Sequence, residues 1–103
     1  MSKSIMQSEK ECFLCREQFG VENTYNLHEH HCVGGRGERK LAEHYGLKVY
    51  LCFEHHEGCQ GVHTGNDMGI AYKRHLQELA QEAFMEKHGT KEDFIRIFGR
   101  AYV

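Results

Sequence analysis

Cys12-x-x-Cys15 and Cys52-x-x-His55 are two pairs of metal-binding side chains, each close enough for one turn to present both donors, with 36 residues between the pairs. Thiolates and imidazoles at this spacing grip one tetrahedral Zn²⁺ from two separate turns, so the intervening chain becomes a loop closed by metal. Within and just beyond that loop stand His30-His31, His56 and His63, and seven of the nine histidines fall between positions 28 and 63. Consecutive residues of a strand point to opposite sides, so a His-His pair divides its labour. One imidazole can take a metal while the other, with an ordinary pKa of about 6.5, takes a proton from water. A cation that polarises a phosphate oxygen beside such a base is the equipment of a phosphodiesterase. Cys59 is the alternative to His55 as fourth zinc ligand, and Cys32 is expected to be a buried thiol beside the histidine pair.

The rest of the composition agrees with a metal-supported domain. With 103 residues, 40% of them hydrophobic, the chain forms one domain with a modest core, and small domains commonly draw folding free energy from a structural metal. Five cysteines is an odd number, and residues 1–10 carry no secretory pattern. A reducing, cytoplasmic setting with metal-bound thiols is therefore expected in place of a disulfide framework. No apolar run approaches the roughly 20 residues of a membrane span. The net charge of −2 lacks the bulk signature of a nucleic-acid binder. Residues 34–40, Gly-Gly-Arg-Gly-Glu-Arg-Lys, nevertheless supply a small basic loop in which Arg36, Arg39 and Lys40 are candidates to hold phosphates.

These residues must be positioned by short elements. Residues 1–10 read as a flexible leader, and residues 11–20 as a turn-like knuckle around the first cysteine pair, with Phe13, Leu14 and Phe19 packing over it. A short strand is expected within residues 25–33 and another over residues 48–52, where β-branched and aromatic residues cluster. Glycines 34, 35, 37 and 46 limit any intervening helix to Arg39–Tyr45, and glycines 58, 61, 65 and 69 make residues 57–69 a loop. Over residues 70–88, Leu76, Leu79, Ala80, Ala83 and Phe84 recur with helical spacing, leaving Glu78, Gln81, Glu82 and Lys87 outside. Gly89 then suits the helix end. Thr90 with a carboxylate at Asp93 opens a last helix through Phe98, docked by Phe94, Ile95 and Phe98. One α+β domain is implied.

The order Cys-x-x-Cys, His30-His31, a glycine-rich basic stretch, a strand ending at Leu51-Cys52, His55-His56 and a trailing His63 resembles the HNH (ββα-metal, His-Me finger) endonuclease family. It is particularly similar to small phage- and prophage-encoded members in which Tyr-Gly-Leu-Lys-Val-x-Leu-Cys-x-x-His-His recurs, here residues 45–56. The resemblance implies a zinc-stapled ββα-metal core over residues 11–66, with a helical extension over residues 67–103. It implies that His31 is the general base, and that His30, His56 and His63 bind a catalytic divalent metal such as Mg²⁺, Mn²⁺, Ni²⁺ or Zn²⁺. Cys12, Cys15, Cys52 and His55 would hold the structural zinc. The implied activity is metal-dependent hydrolysis of phosphodiester bonds in DNA.

Two departures from the family pattern stand out. The middle Asn that supports the base has no counterpart before Leu51-Cys52, leaving His44 or a loop carbonyl to fix the tautomer of His31. His56 and His63 are also seven apart with glycines between, so their joint ligation requires the loop to fold back. The alternative to an enzyme is a non-catalytic zinc-stapled module of a phage that grips nucleic acid or a protein. A further class is a factor that binds a phage or host protein through helix 70–88.

Overall fold

The computed structural model describes residues 3–33, 38–59 and 61–103. The first cysteine pair opens a true helix where a turn is expected: α1 (Phe13–Phe19) starts at Cys12, whose sulfur accepts the Cys15 N–H, and ends at Gly20 in the left-handed region. Leu14 is fully buried, and Phe19, though 59% exposed, stacks its ring on His55 beside the cysteine pair. β1 (His28–His31), α2 (Arg39–Tyr45) and β2 (Lys48–Leu51) follow, the strands pairing antiparallel with His28 opposite Leu51 and His31 opposite Lys48. The strand before the second metal-binding pair stops at Leu51, and Cys52 instead caps the short α3 (Phe53–His56).

Asn66 accepts the Gly69 N–H and starts α4 (Asp67–Lys87) three residues before the expected start at Ile70, which shortens the expected loop. α5 (Lys91–Phe98) has the expected reciprocal capping box between Thr90 and Asp93. The molecule is thus α+β, with one two-stranded sheet surrounded by helices. Leu14, Leu47, Val49, Leu51, Leu76 and Phe84 join the sheet, α1 and α4 in one core, which Phe94 and Phe98 extend toward α5.

Three packing expectations are corrected. Residues 3–10 do not form a free leader: Ile5 donates to the Gly46 carbonyl, Ser4 Oγ to Lys48 O, and Gln7 Oε1 accepts the Tyr50 N–H at 2.9 Å. The unpaired side of β2 offered these backbone groups, and sequence alone gave no pattern for a partner without strand form. Gln81 faces inward at 0% exposure because its carboxamide accepts the Tyr102 and Val103 N–H groups, tying down the chain end. Ile95 is 39% exposed, leaving Phe94 and Phe98 to dock α5. Among the described residues no helix is long and apolar enough to cross a membrane.

Candidate functional site

The cysteine pairs meet. Nδ1 of His55 lies 3.5 Å from the sulfurs of Cys12 and Cys15 and 3.3 Å from that of Cys52, while Cys15 and Cys52 sulfurs are 3.8 Å apart. Zn–S bonds of about 2.3 Å and Zn–N bonds of about 2.0–2.1 Å place tetrahedral donors about 3.8 Å apart for two sulfurs and about 3.5 Å for sulfur and nitrogen. The cluster therefore fits a metal such as zinc in donor type and in spacing. Cys59 is exposed and lies outside the cluster, so the fourth position belongs to His55.

Local structure explains this convergence. The α1 and α3 N-termini each present a cysteine as cap residue and a second donor one turn on. The His55 ring stacks on Phe19 at 6.1 Å and meets the edge of Tyr72 from α4 at 5.5 Å. Burial pushes the Cys12 thiol up to about 12. With no cation to draw off its proton it stays a thiol at neutral pH, so metal loading must release protons.

A second cluster forms where β1, α3 and the following loop meet. Ligating nitrogens of His30, His56 and His63 lie within 4.8 Å of one another, with the Nε2 atoms of His56 and His63 at 3.1 Å. The loop does fold back, as joint ligation requires: Val62 donates to His55 O and His63 to His56 O, at 2.9 and 3.3 Å. At Gly61 even a Cβ would collide with the backbone of His56 and Glu57, so only glycine lets the loop pass this closely. On the far side of His56, its Nδ1 sits 2.9 Å from Nδ1 of His28. Burial, then the neighbouring His56 and His63, lowers the His30 pKa to about 3. Burial, then the neighbouring His63 and His28, lowers that of His56. Both rings are therefore neutral near pH 7, the form that offers a lone pair to a cation.

His31 projects from the other side of β1, as strand alternation requires. Its Nε2 is 2.9 Å from Glu43 Oε1 and 4.0 Å from Glu29 Oε1. Lys48 Nζ sits between the same carboxylates, 2.7 Å from Glu43 and 3.3 Å from Glu29. Hydrogen bonds from Lys48 and then His31 hold the Glu43 carboxyl down at about 2. Burial opposes the Lys48 charge, but the two carboxylates outweigh it and raise its pKa.

The two sides of β1 open into one cleft of about 260 Å³, lined by Glu29, His30, His31, Cys32, Arg39, His56, His63, Lys73 and Gln77. Of the basic candidates Arg39 reaches this cleft, Lys40 is exposed on α2 outside it, and Arg36 lies outside the described residues. Cys32 is buried beside the histidines as expected. The His44 ring packs edge-on against Tyr45.

Sequence reasoning missed Glu43, Lys48, His28, Lys73 and Gln77. For His28 the two-residue offset from His30 on a strand was a usable signal, and Lys73 and Gln77 share the i, i+4 spacing of one helix face. Glu43 and Lys48 carried no signal beyond charge, because nothing local tells which residue of a helix will reach across a sheet. Comparison with known proteins finds no matching family model, no matching curated protein and no matching solved structure.

Proposed function

We propose that the protein is a metal-dependent endonuclease of the HNH type, cutting phosphodiester bonds in DNA, with the Cys12, Cys15, Cys52 and His55 cluster as a structural zinc site. The single observation that carries the reading is that three mutually adjacent imidazoles and a separate, carboxylate-bonded imidazole line one cleft. A histidine cluster serving only the fold would have no need of a fourth histidine, differently partnered, opening to the same space.

In this reading His30, His56 and His63 hold a divalent cation, which when bound supplies Lewis-acid stabilisation to the phosphate and to the departing oxygen. His31 removes a proton from water as the new O–P bond forms, and the P–O3′ bond breaks, its oxygen taking a proton from solvent. Arg39 and Lys73 supply positive charge for neighbouring phosphates, contacts that position the backbone without reading sequence. The zinc cluster fixes α1 against α3, and so sets where α3 delivers His56 relative to β1.

The test is nicking of supercoiled plasmid by purified protein with Mg²⁺, Mn²⁺ or Ni²⁺, beside His31→Ala. Nicking by the wild type and at least a 100-fold loss in the variant, on the scale of about 10²–10⁴ for a general base, is the expected result. Equal background from both would reject catalysis in favour of a module that binds without cutting.

A further inference from the structure

We propose that Glu43 is the positioning residue for His31, holding its imidazole with the proton on Nε2 and leaving Nδ1 as the basic nitrogen. What Nδ1 then does rests on the endonuclease reading; the tautomer itself does not. The inference comes from a closed set of contacts. Glu43 Oε1 meets His31 Nε2 at 2.9 Å while Oε2 accepts from Lys48 Nζ at 2.7 Å. His31 and Lys48 are also directly opposite one another in the sheet. One carboxylate from α2 thus staples a cross-strand pair and has both oxygens engaged, so it cannot turn away without breaking both bonds.

The chemistry sets the direction of the hydrogen bond. A carboxylate bridged to an ammonium whose side chain is 7% exposed is ionised, and an ionised carboxylate only accepts. His31 Nε2 must therefore be the donor, which fixes the neutral ring in one tautomer and one orientation. Lys48 is itself held by Glu29 at 3.3 Å, so Glu43 is oriented by a group that is in turn oriented. This does the job for which the sequence offers no middle Asn, and does it from the helix between the strands.

Nitrogen-15-edited NMR of selectively labelled histidine in the full chain tests this, together with steady-state cleavage by Glu43→Ala and Glu43→Gln. In wild type His31 should show a low-field, slowly exchanging Nε2–H. That resonance should disappear in Glu43→Ala and persist in Glu43→Gln, which keeps an acceptor oxygen. kcat should fall about 10- to 100-fold in Glu43→Ala, the usual loss when a ligand's or base's orienting partner is removed, with KM unchanged, and less in Glu43→Gln. A wild-type His31 protonated on Nδ1, or an Nε2–H equally shifted and protected in Glu43→Ala, would overturn the proposal. The wild-type spectrum decides even where a variant fails to fold. Wild-type protein that shows the bonded Nε2–H but does not cut would reject the nuclease reading alone.

Discussion

Gly46 carries two structural duties at one residue. It ends α2 at φ +74°, donating to the Ala42 and Glu43 carbonyls, and its own carbonyl accepts the Ile5 N–H. A Cβ there would strike the Lys3 carbonyl, whereas at Gly20, also left-handed at φ +67°, it would meet nothing within 4 Å. The two glycines share a backbone conformation and differ in neighbours. Gly20→Ala should cost about 1–2 kcal/mol, the left-handed penalty alone. Gly46→Ala should cost more, because residues 3–7 must also leave the sheet edge. Urea unfolding of both variants measures the difference, and equal losses would refute the claim that the N-terminal segment is docked. The same residue borders Glu43 and β2, so backbone strain here reaches the His31 side of the cleft first.

At the scale of elements, α5 is a short helix whose existence depends on its ends. Thr90 Oγ1 accepts the Asp93 N–H at 3.1 Å and Asp93 Oδ2 accepts the Thr90 N–H at 2.9 Å. Eight residues are too few for a stable isolated helix, so capping and the burial of Phe94 and Phe98 must supply what length does not. Thr90→Ala should lower stability by about 1 kcal/mol. The Asp93 carboxyl is held below its usual range, chiefly by hydrogen bonds from the Thr90 backbone and hydroxyl. A carboxyl with a lowered folded pKa stabilises above its ordinary pKa of 3.8, and that contribution is lost as pH falls through the folded value. Asp93→Asn should therefore flatten the acid limb of the stability profile, as followed by thermal melts across that range. An unchanged acid limb would show that the box does not close in solution.

For the whole molecule, the Cys12, Cys15, Cys52 and His55 cluster is the joint on which the arrangement turns. Cys12 and Cys15 come from α1, Cys52 and His55 from α3, and Tyr72 of α4 packs on the His55 ring. A structural zinc contributes about 10–16 kcal/mol of apparent binding free energy that appears as folding free energy. Protein purified without a histidine tag should contain one tightly held zinc per chain. Chelation should abolish the cooperative thermal transition, and Cys52→Ser should reproduce that loss. Metal analysis and calorimetry check both, and a metal-free chain that melts cooperatively at the same temperature would remove the joint. Acidification acts in the same direction, since protons compete with the cation for thiolate and imidazole.

Spacing alone pointed to Cys12, Cys15 and Cys52 with His55 or Cys59 as the fourth donor, because donors two residues apart occupy one turn wherever the fold puts it, and the structure placed His55 in the cluster. Local rules likewise determined α2, the apolar stripe of α4 and the Thr90–Asp93 box, all of which depend on neighbours within about four residues. Tertiary structure decided the rest. It turned Gln81 inward to hold the chain end, laid residues 3–7 along β2, and made Glu43 a partner of His31. Each of these choices depends on which backbone or side-chain group from a distant segment is left in need of a hydrogen bond, a quantity that exists only once the segments have packed.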